Sequence, residues 1–365
     1  MTRILRLVPL FALAVGPLAA QDSQFGITSL GTPGRWESVR SRATGGAFGP
    51  FDALSPLTEV ALLDLLRLTA SAAEATSYRT AELGGQRDAL RTSRFPVMSI
   101  SGPLGRRVAL SGGFTTYLDR SYTATIRDSM TLRGTMEPFT DVISADGAVA
   151  DLRLAAAYRV HPRIAIGAAV HLLEGSTRST ARRTFDDSTT YLTAFERQAV
   201  RFDGFGISAS LAADVTRRVR VTGWLRSDSR LRATVSDVET DRSDLPSGMG
   251  GGVRWAPSSN ARFAGVVAWR GWSVSGTDAY DTFTWSVGGE LGRQDFPIRF
   301  GARGGQMPFG PGGAAPKETG FAIGTGKGFS EGRGRLDLTV ERLQRKGGGL
   351  TESVWTVLVG LTVQP

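Results

Sequence analysis

The chain has 365 residues, a formal net charge of +9 and no cysteine, which excludes a disulfide framework and thiolate chemistry. Its basic residues are almost all arginine, because lysine occurs only at Lys317, Lys327 and Lys346. No basic patch is interleaved with aromatic residues, so we expect no nucleic acid among its partners.

The first twenty residues, 1–20, have the features of a signal peptide. Arg3 and Arg6 form a positive n-region, an apolar stretch follows, and Ala19 and Ala20 place small side chains in the cleavage zone. No later stretch approaches eighteen consecutive apolar residues, so the sequence offers no helical membrane span. We predict an exported protein.

Residues 21–64 come before the first segment with a strand pattern. Within them, residues 40–63 are rich in glycine, alanine and proline and lack two-residue alternation, so they are not expected to form a spanning strand. Gly45 and Gly46 permit a turn or a close backbone approach. Ser55 followed by Pro56 predicts the start of a short helix.

From about residue 65 onward, apolar and polar side chains alternate to the end of the chain. Val108, Leu110 and Phe114 share one face of a strand whose other face carries Ser111 and Thr115. About fourteen such segments lie between turn signals, near 65–80, 94–101, 106–120, 147–160, 162–178, 197–215, 217–235, 246–256, 260–274, 280–291, 296–306, 317–328, 332–345 and 351–364.

This pattern predicts an all-β fold: a transmembrane antiparallel β-barrel of about 14 strands over 65–365, with twelve or sixteen strands as alternatives. Charges in midstrand, as at Arg153 and Glu341, suit a wet lumen better than the dry core of a β-sandwich. Aromatic residues near strand ends, such as Trp255 and Trp355, suit the two membrane interfaces. No repeat typical of a propeller is present.

Short and long connections alternate along these segments, as expected for a barrel with short periplasmic turns and longer extracellular loops. The sequence predicts short turns at 160–163, 216–217, 257–260 and 292–295. It predicts extracellular loops at 121–146, 179–196, 236–246, 307–316 and 345–350.

The most specific local signal lies in residues 21–64. The chain reads R-A-T-G-G-A-F from Arg42 to Phe48 and D-A-L-S-P-L from Asp52 to Leu57. This resembles the R-A-x-G-G-A-F…D-A-x-x-N-P-A-x-L pattern in the N-terminal hatch of the FadL-like outer-membrane transporters. The family usually has Asn-Pro-Ala where this chain has Ser-Pro-Leu.

The resemblance implies that 21–64 is a plug inside the lumen; a periplasmic or disordered tail is the alternative. It also implies passive uptake of hydrophobic small molecules, such as long-chain fatty acids, across the outer membrane of a Gram-negative-type bacterium. Expected partners are outer-membrane lipids, lipopolysaccharide, the hydrophobic ligand and the barrel-assembly machinery. The plug motif residues are Arg42, Gly45, Gly46, Phe48, Asp52, Ser55 and Pro56.

Two further sets of residues are candidates for the transport path. Glycines weaken local strand pairing, so glycine-rich strands are candidates for a wall opening or for plug contact. These are Gly250, Gly251, Gly304 and Gly305. Apolar residues in or beside the outer loops are candidates for ligand capture: Phe139, Leu192, Phe195 and Phe309. Exit sideways into the membrane and exit into the periplasm both remain open.

The sequence offers little for an enzyme. His161 and His171 are the only histidines, and nothing in the spacing places His171 beside a serine and a carboxylate, so a lumen hydrogen-bond network is its expected role. We predict no catalytic residues, no metal site and no cofactor. A scaffold barrel that binds protein partners in secretion or surface attachment is the alternative function, and a water-filled diffusion porin is a third.

Overall fold

The computed structural model describes residues 23–27, 29–83, 85–293 and 296–365. The predicted signal peptide, 1–20, lies outside these residues. Eighteen strands of the described chain form one antiparallel sheet. Their bounds are β1 Thr32–Pro33, β2 Thr69–Leu83, β3 Gln86–Leu104, β4 Val108–Asp119, β5 Tyr122–Leu132, β6 Thr135–His161, β7 Ile164–Phe185, β8 Ala194–Asp214, β9 Val219–Asp228, β10 Leu231–Val235, β11 Val238–Ser243, β12 Gly248–Ser258, β13 Ala261–Arg270, β14 Thr282–Leu291, β15 Ile298–Gln306, β16 Lys317–Phe329, β17 Gly334–Gly347 and β18 Leu350–Val363.

Fourteen of these strands close a barrel. Their order is β2, β3, β4, β6, β7, β8, β9 and β12 through β18, and β18 hydrogen-bonds back to β2 along fourteen paired positions. Each of the fourteen strand segments expected from the alternation corresponds to one barrel strand. The predicted fold class and strand number are therefore confirmed.

The last strand shows why the sequence folds this way. On β18, Trp355, Val357 and Leu361 point outward and are exposed, while Glu352 and Thr356 point inward and are buried. Because successive side chains of a strand point to opposite faces, a two-residue alternation gives the barrel an apolar outer belt and a polar lumen.

The four remaining strands lie outside the barrel ladder. Strand β5 pairs with an extension of β6, and β10 pairs with β8 and β11, so both build hairpins that continue past the barrel at one end. The prediction that 121–146 and 236–246 are loops without strands was therefore wrong. These stretches are long polar hairpins, whose side chains show no apolar alternation because neither face contacts lipid.

Helical structure is sparse in the described chain. The α-helix α1 spans Val39–Arg42, and 3-10 helices span Gln24–Gly26, Gly49–Phe51, Val60–Asp64, Trp272–Ser275 and Ser330–Gly332. None of the described helices has the length and apolar character needed to cross a membrane.

The two ends of the barrel differ. One end carries the short connections between strands, such as β6 to β7 and β12 to β13, together with the start of β2 and the end of β18. The other end carries the long hairpins. We refer to the end with the short connections as the periplasmic end and to the end with the long hairpins as the extracellular end, because bacterial barrels keep their short turns on the periplasmic side.

Candidate functional site

Residues 23–27 and 29–65, the N-terminal segment, lie inside the barrel. The hydroxyl of Thr339 on β17 donates to Val39 O at 2.8 Å. The N–H of Glu59 donates to Ser210 Oγ on β8 at 3.1 Å. Strands β17 and β8 are seven strands apart in a ring of fourteen, so the segment reaches opposite walls and occupies the lumen.

Buried ion pairs fix this segment to the wall. Glu341, on the lumen face of β17, pairs with Arg35 and with the motif residue Arg42. All three side chains are largely buried, and Glu341 is almost completely so. Removing one member of such a group would leave an uncompensated charge in a site that water does not reach.

A second group on the opposite wall holds Glu59. Arg153 Nη2 donates to Glu59 Oε1 at 2.8 Å, and the Ser208 hydroxyl donates to the same oxygen at 2.6 Å. His171 lies between Ser208 and Asp151, with Nε2 2.9 Å from Ser208 Oγ and Nδ1 2.9 Å from Asp151 Oδ1. Ser208 Oγ thus lies within hydrogen-bond distance of both Glu59 and His171, and these contacts join Glu59, Ser208, His171 and Asp151 in one buried network.

The charge of Glu59 depends on this environment. Burial raises the pKa of its carboxyl, but Arg153 and the hydroxyls of Ser208 and Ser210 outweigh burial and hold the pKa below its ordinary value. The ionised Glu59 carboxylate therefore stabilises the state in which the N-terminal segment is bound to the wall. This stabilisation is fully present at pH values above the ordinary carboxyl pKa and is lost as pH falls through the lowered pKa.

Acid is therefore expected to loosen the N-terminal segment. Because the chain has no cysteine, a fluorophore can be attached at Ala53→Cys, and its signal followed from about pH 7 to about pH 2. We expect a transition below about pH 4.3 that is weaker in Glu59→Gln, which has no charge to lose. The exposed Glu331→Gln serves as control. Identical acid curves for Glu59→Gln and the parent protein would contradict this role.

The motif glycines allow a close approach of the segment to the wall. Gly45 and Gly46 have φ angles of 68° and 97°, in the left-handed region that favours glycine. On the wall, a Cβ added to Gly288 would lie 2.3 Å from Thr44 O, and one added to Gly301 would lie 2.1 Å from Thr44 C. Residues on both sides of this contact thus lack the side chains that would separate them.

The other motif residues stabilise the segment internally. Phe48 is buried in a cluster with Phe51 and with Trp224 of the wall. Ser38 donates its hydroxyl to Asp52 and its N–H to Ser55 Oγ, the latter at 2.9 Å.

The expectation that Ser55 and Pro56 begin a helix was wrong. The nearby 3-10 helix begins at Val60 after Glu59, with no side-chain cap. The hydroxyl oxygen of Ser55 instead accepts a hydrogen bond from the N–H of Ser38. Pro56 borders an internal cavity.

This cavity of about 180 Å³ lies between the N-terminal segment and the wall. Leu57 and Trp36 line it from the segment, and Trp224, Val266 and Ala268 line it from β9 and β13. Its polar side is formed by Arg226, Arg270, His171 and Ser208. The guanidiniums of Arg226 and Arg270 stack on the Trp36 ring at 4.6 and 4.7 Å. The site is thus an aromatic and aliphatic chamber with cations at one side.

The glycines chosen as a possible wall opening do not open the wall. Gly250 and Gly251 are paired on both sides, with β9 and with β13, and Gly304 and Gly305 are paired with β14 and β16. The Trp224 ring lies over Gly250, and the Trp285 ring lies over Gly304. These glycines make room for neighbouring rings within a continuous ladder.

The wall is interrupted elsewhere, between β3 and β4. These strands pair only over Val97–Leu104 and Val108–Thr115, and the remainder of β3 toward the extracellular end is not bonded to β4. The separation begins where Phe95 and Pro96 oppose the single residue Glu74 on β2. Proline has no N–H to donate, so Pro96 suits a position where the ladder ends.

The N-terminal segment covers this interruption. Strand β1 pairs with the free edge of β4, and the N–H of Gly34 donates to Tyr117 O at 2.9 Å. An ion pair between Arg94 on β3 and Asp119 on β4 spans the separation. A cavity of about 70 Å³ remains between these groups.

The candidate capture residues are not brought together. Leu192, in the connection from β7 to β8, is 89% exposed, and Phe195, at the start of β8, is 63% exposed. Phe139 is buried against Phe185 with Arg183 over its ring, and Phe309 is buried against Trp272 with ring centroids 5.2 Å apart. For Phe139 and Phe309 the expectation of an exposed capture site was therefore wrong, because both are already covered by neighbouring rings.

Within the described residues, no group of three or more His, Asp or Glu side chains is placed to hold a metal ion.

No family model matches the sequence, and no curated protein matches it.

Solved structures do match the fold. A Pseudomonas aeruginosa FadL homologue aligns with a TM-score of 0.65 and 12% identity, covering 92% of this chain and 99% of its own. The Pseudomonas putida toluene transporter TodX aligns with a TM-score of 0.61 and 13% identity, covering 92% and 99%. The CymD monoaromatic hydrocarbon channel aligns with a TM-score of 0.58 and 14% identity, covering 93% and 99%.

The chain has the fold of the FadL-like outer-membrane transporters. Within this FadL-like fold, sequence reasoning missed the wall interruption and the chamber. Pro96 was the available signal for the interruption, because proline inside an alternating segment indicates an edge or a bulge. The chamber had no such signal, since Trp36 and Trp224 are 188 positions apart.

Proposed function

We propose that this protein is an outer-membrane channel for the passive uptake of hydrophobic small molecules, and that the N-terminal segment is its plug. The observation that carries the proposal is the chamber between the segment and the wall, lined by Trp36, Leu57, Trp224, Val266 and Ala268. An apolar molecule crosses a polar saccharide layer at high cost, and such a chamber offers it an apolar intermediate site.

The size of the chamber favours a compact ligand. About 180 Å³ is close to the roughly 150 Å³ of an engineered apolar cavity that binds benzene. A single-ring aromatic compound therefore fits better than a long acyl chain, in line with the hydrocarbon channels TodX and CymD among the structural neighbours.

For the exit we propose the interruption between β3 and β4. A ligand leaving there would pass from the lumen directly to the surrounding membrane, once β1 moves from the edge of β4 and the contact between Arg94 and Asp119 opens. The pairing of β1 with β4 and the ion pair between Arg94 and Asp119 involve few bonds. Breaking them requires no change in the rest of the barrel ladder.

Filling the chamber is expected to abolish ligand binding. Ala268 points into the chamber, so Ala268→Phe places a ring where the ligand would lie. We expect binding of toluene, measured by native mass spectrometry of the full chain in mild detergent, to fall at least about tenfold through lost space.

The matched control is Val267→Phe on the same strand, which adds a ring on the lipid-facing side. It should bind toluene as the parent does. Equal binding by both variants would overturn the chamber as the binding site. No binding by the parent, with a stoichiometric protein partner in native pull-downs, would favour the scaffold alternative.

A further inference from the structure

The periplasmic rim carries a set of arginines that the proposed uptake does not use. Five of the six short turns at this end contain exposed arginines, and one more precedes β2. These residues are Arg67, Arg106, Arg107, Arg163, Arg217, Arg218, Arg293 and Arg333.

Nearby carboxylates do not neutralise this rim. None of the eight guanidiniums forms an ion pair with a carboxylate among the residues that the structure describes. Asp64 and Asp214, at the same end, are both bound to Arg220 at 2.7 and 2.6 Å. Glu331 is left as an exposed acidic side chain there.

The extracellular end differs in its balance of exposed charges. There, carboxylates neutralise exposed or half-buried arginines: Arg230 pairs with Asp244 at 2.7 Å, and Arg183 with Asp141 at 2.7 Å. Further pairs join Arg232 to Asp203 and Arg242 to Glu239. Other exposed arginines at this end, such as Arg127 and Arg197, form no ion pair among the described residues, but exposed carboxylates such as Asp128, Glu196 and Asp237 lie beside them and offset their charge. The periplasmic rim has eight exposed arginines and the exposed carboxylate of Glu331, so it carries the larger excess of positive charge.

The rim arginines also lie next to the lipid-facing belt. Arg106 and Arg107 lie between the exposed Leu104 and the start of β4, and Arg217 and Arg218 follow the exposed Val215. Turns this short place a guanidinium within a few residues of the hydrocarbon boundary, which is the level of lipid headgroups.

The arginines are spread around the barrel, on the turns from β3 to β4, β6 to β7, β8 to β9, β14 to β15 and β16 to β17. A folded protein partner would need one contiguous patch, whereas a surrounding lipid leaflet contacts the whole circumference. We propose that this rim binds the phosphates of anionic phospholipids in the periplasmic leaflet. The inference rests on placement in the outer membrane and not on transport.

The test compares lipid preference in two charge-matched variants of the full chain. Each is purified in mild detergent and titrated with phosphatidylglycerol or phosphatidylcholine of the same acyl chains, and bound lipids are counted by native mass spectrometry. The rim variant is R106Q/R107Q/R217Q/R218Q. The control, at the extracellular end, is R183Q/R230Q/R232Q/R242Q.

We expect the parent and the control to prefer phosphatidylglycerol, and the rim variant to lose this preference by about tenfold or more. Adding about 0.5 M salt should weaken the preference in the parent, because exposed charges are screened. Heat-modifiable gel mobility establishes that both variants are folded.

Three results would overturn the proposal. The rim variant could keep its preference, or the control could lose it equally, which would indicate a net-charge effect. Phosphatidylglycerol binding that only the control loses would assign phosphate binding to the extracellular end. A failure of toluene binding with an intact lipid preference would refute the proposed function alone.

Discussion

Glu341→Ala is expected to detach the N-terminal segment while the barrel stays folded. The change leaves the guanidiniums of Arg35 and Arg42 buried without their carboxylate, at a cost of about 3–5 kcal/mol. The barrel ladder itself is untouched. Trypsin should then cleave the segment at its arginines, and single-channel conductance in planar bilayers should rise, because the segment fills the lumen in the parent protein.

Asp337→Ala provides a matched control on the same strand. Asp337 is also buried between two arginines, Arg299 and Arg335, but both belong to the wall. It should lower barrel stability without raising conductance. If both variants kept the low conductance of the parent, the ion pairs of Glu341 would not hold the segment in place.

Gly301→Ala should likewise displace the segment, for a steric reason. The new Cβ would lie 2.1 Å from Thr44 C, and backbone cannot yield as a flexible side chain can. Overpacking of this kind costs about 1–3 kcal/mol, and more where backbone must move. Adding Gly288→Ala, whose Cβ would lie 2.3 Å from Thr44 O, should increase the effect. Proteolysis of the segment and conductance are the measurements.

The control is Gly251→Ala, on a strand with the same pairing. The nearest atom to its Cβ would be Thr222 O at 3.5 Å, an ordinary contact, so we expect little change. Equal loss of the segment in Gly251→Ala and Gly301→Ala would show that glycine flexibility, and not the close approach to Thr44, is what matters.

The barrel was predictable because one physical constraint acts on every spanning strand. Lipid on one side and water on the other force the alternation seen in Val108, Leu110 and Phe114, and each turn resets it. The hairpins beyond the membrane escaped prediction for the same reason. Strands such as β5 have water on both faces, so their sequence resembles that of a loop.

The site was only partly predictable. The R-A-T-G-G-A-F motif located the segment that fills the lumen, because its glycines meet a local steric need. The partners of that segment could not be inferred, since Arg42 and Glu341 are 299 positions apart and no local pattern links them. Phe309 was misjudged because an apolar residue in a loop gives no sign that Trp272 covers it.

Uptake by cells is the most direct test of whether the chamber carries hydrophobic molecules across the outer membrane. Gram-negative cells without their own hydrocarbon channels would express the parent, Ala268→Phe or Val267→Phe, and initial uptake of labelled toluene and of a labelled sugar would be measured. We expect faster toluene uptake with the parent and Val267→Phe, none of that gain with Ala268→Phe, and unchanged sugar uptake throughout. Toluene uptake that never exceeds that of cells without the protein, or a rise for toluene and sugar alike, would contradict this expectation.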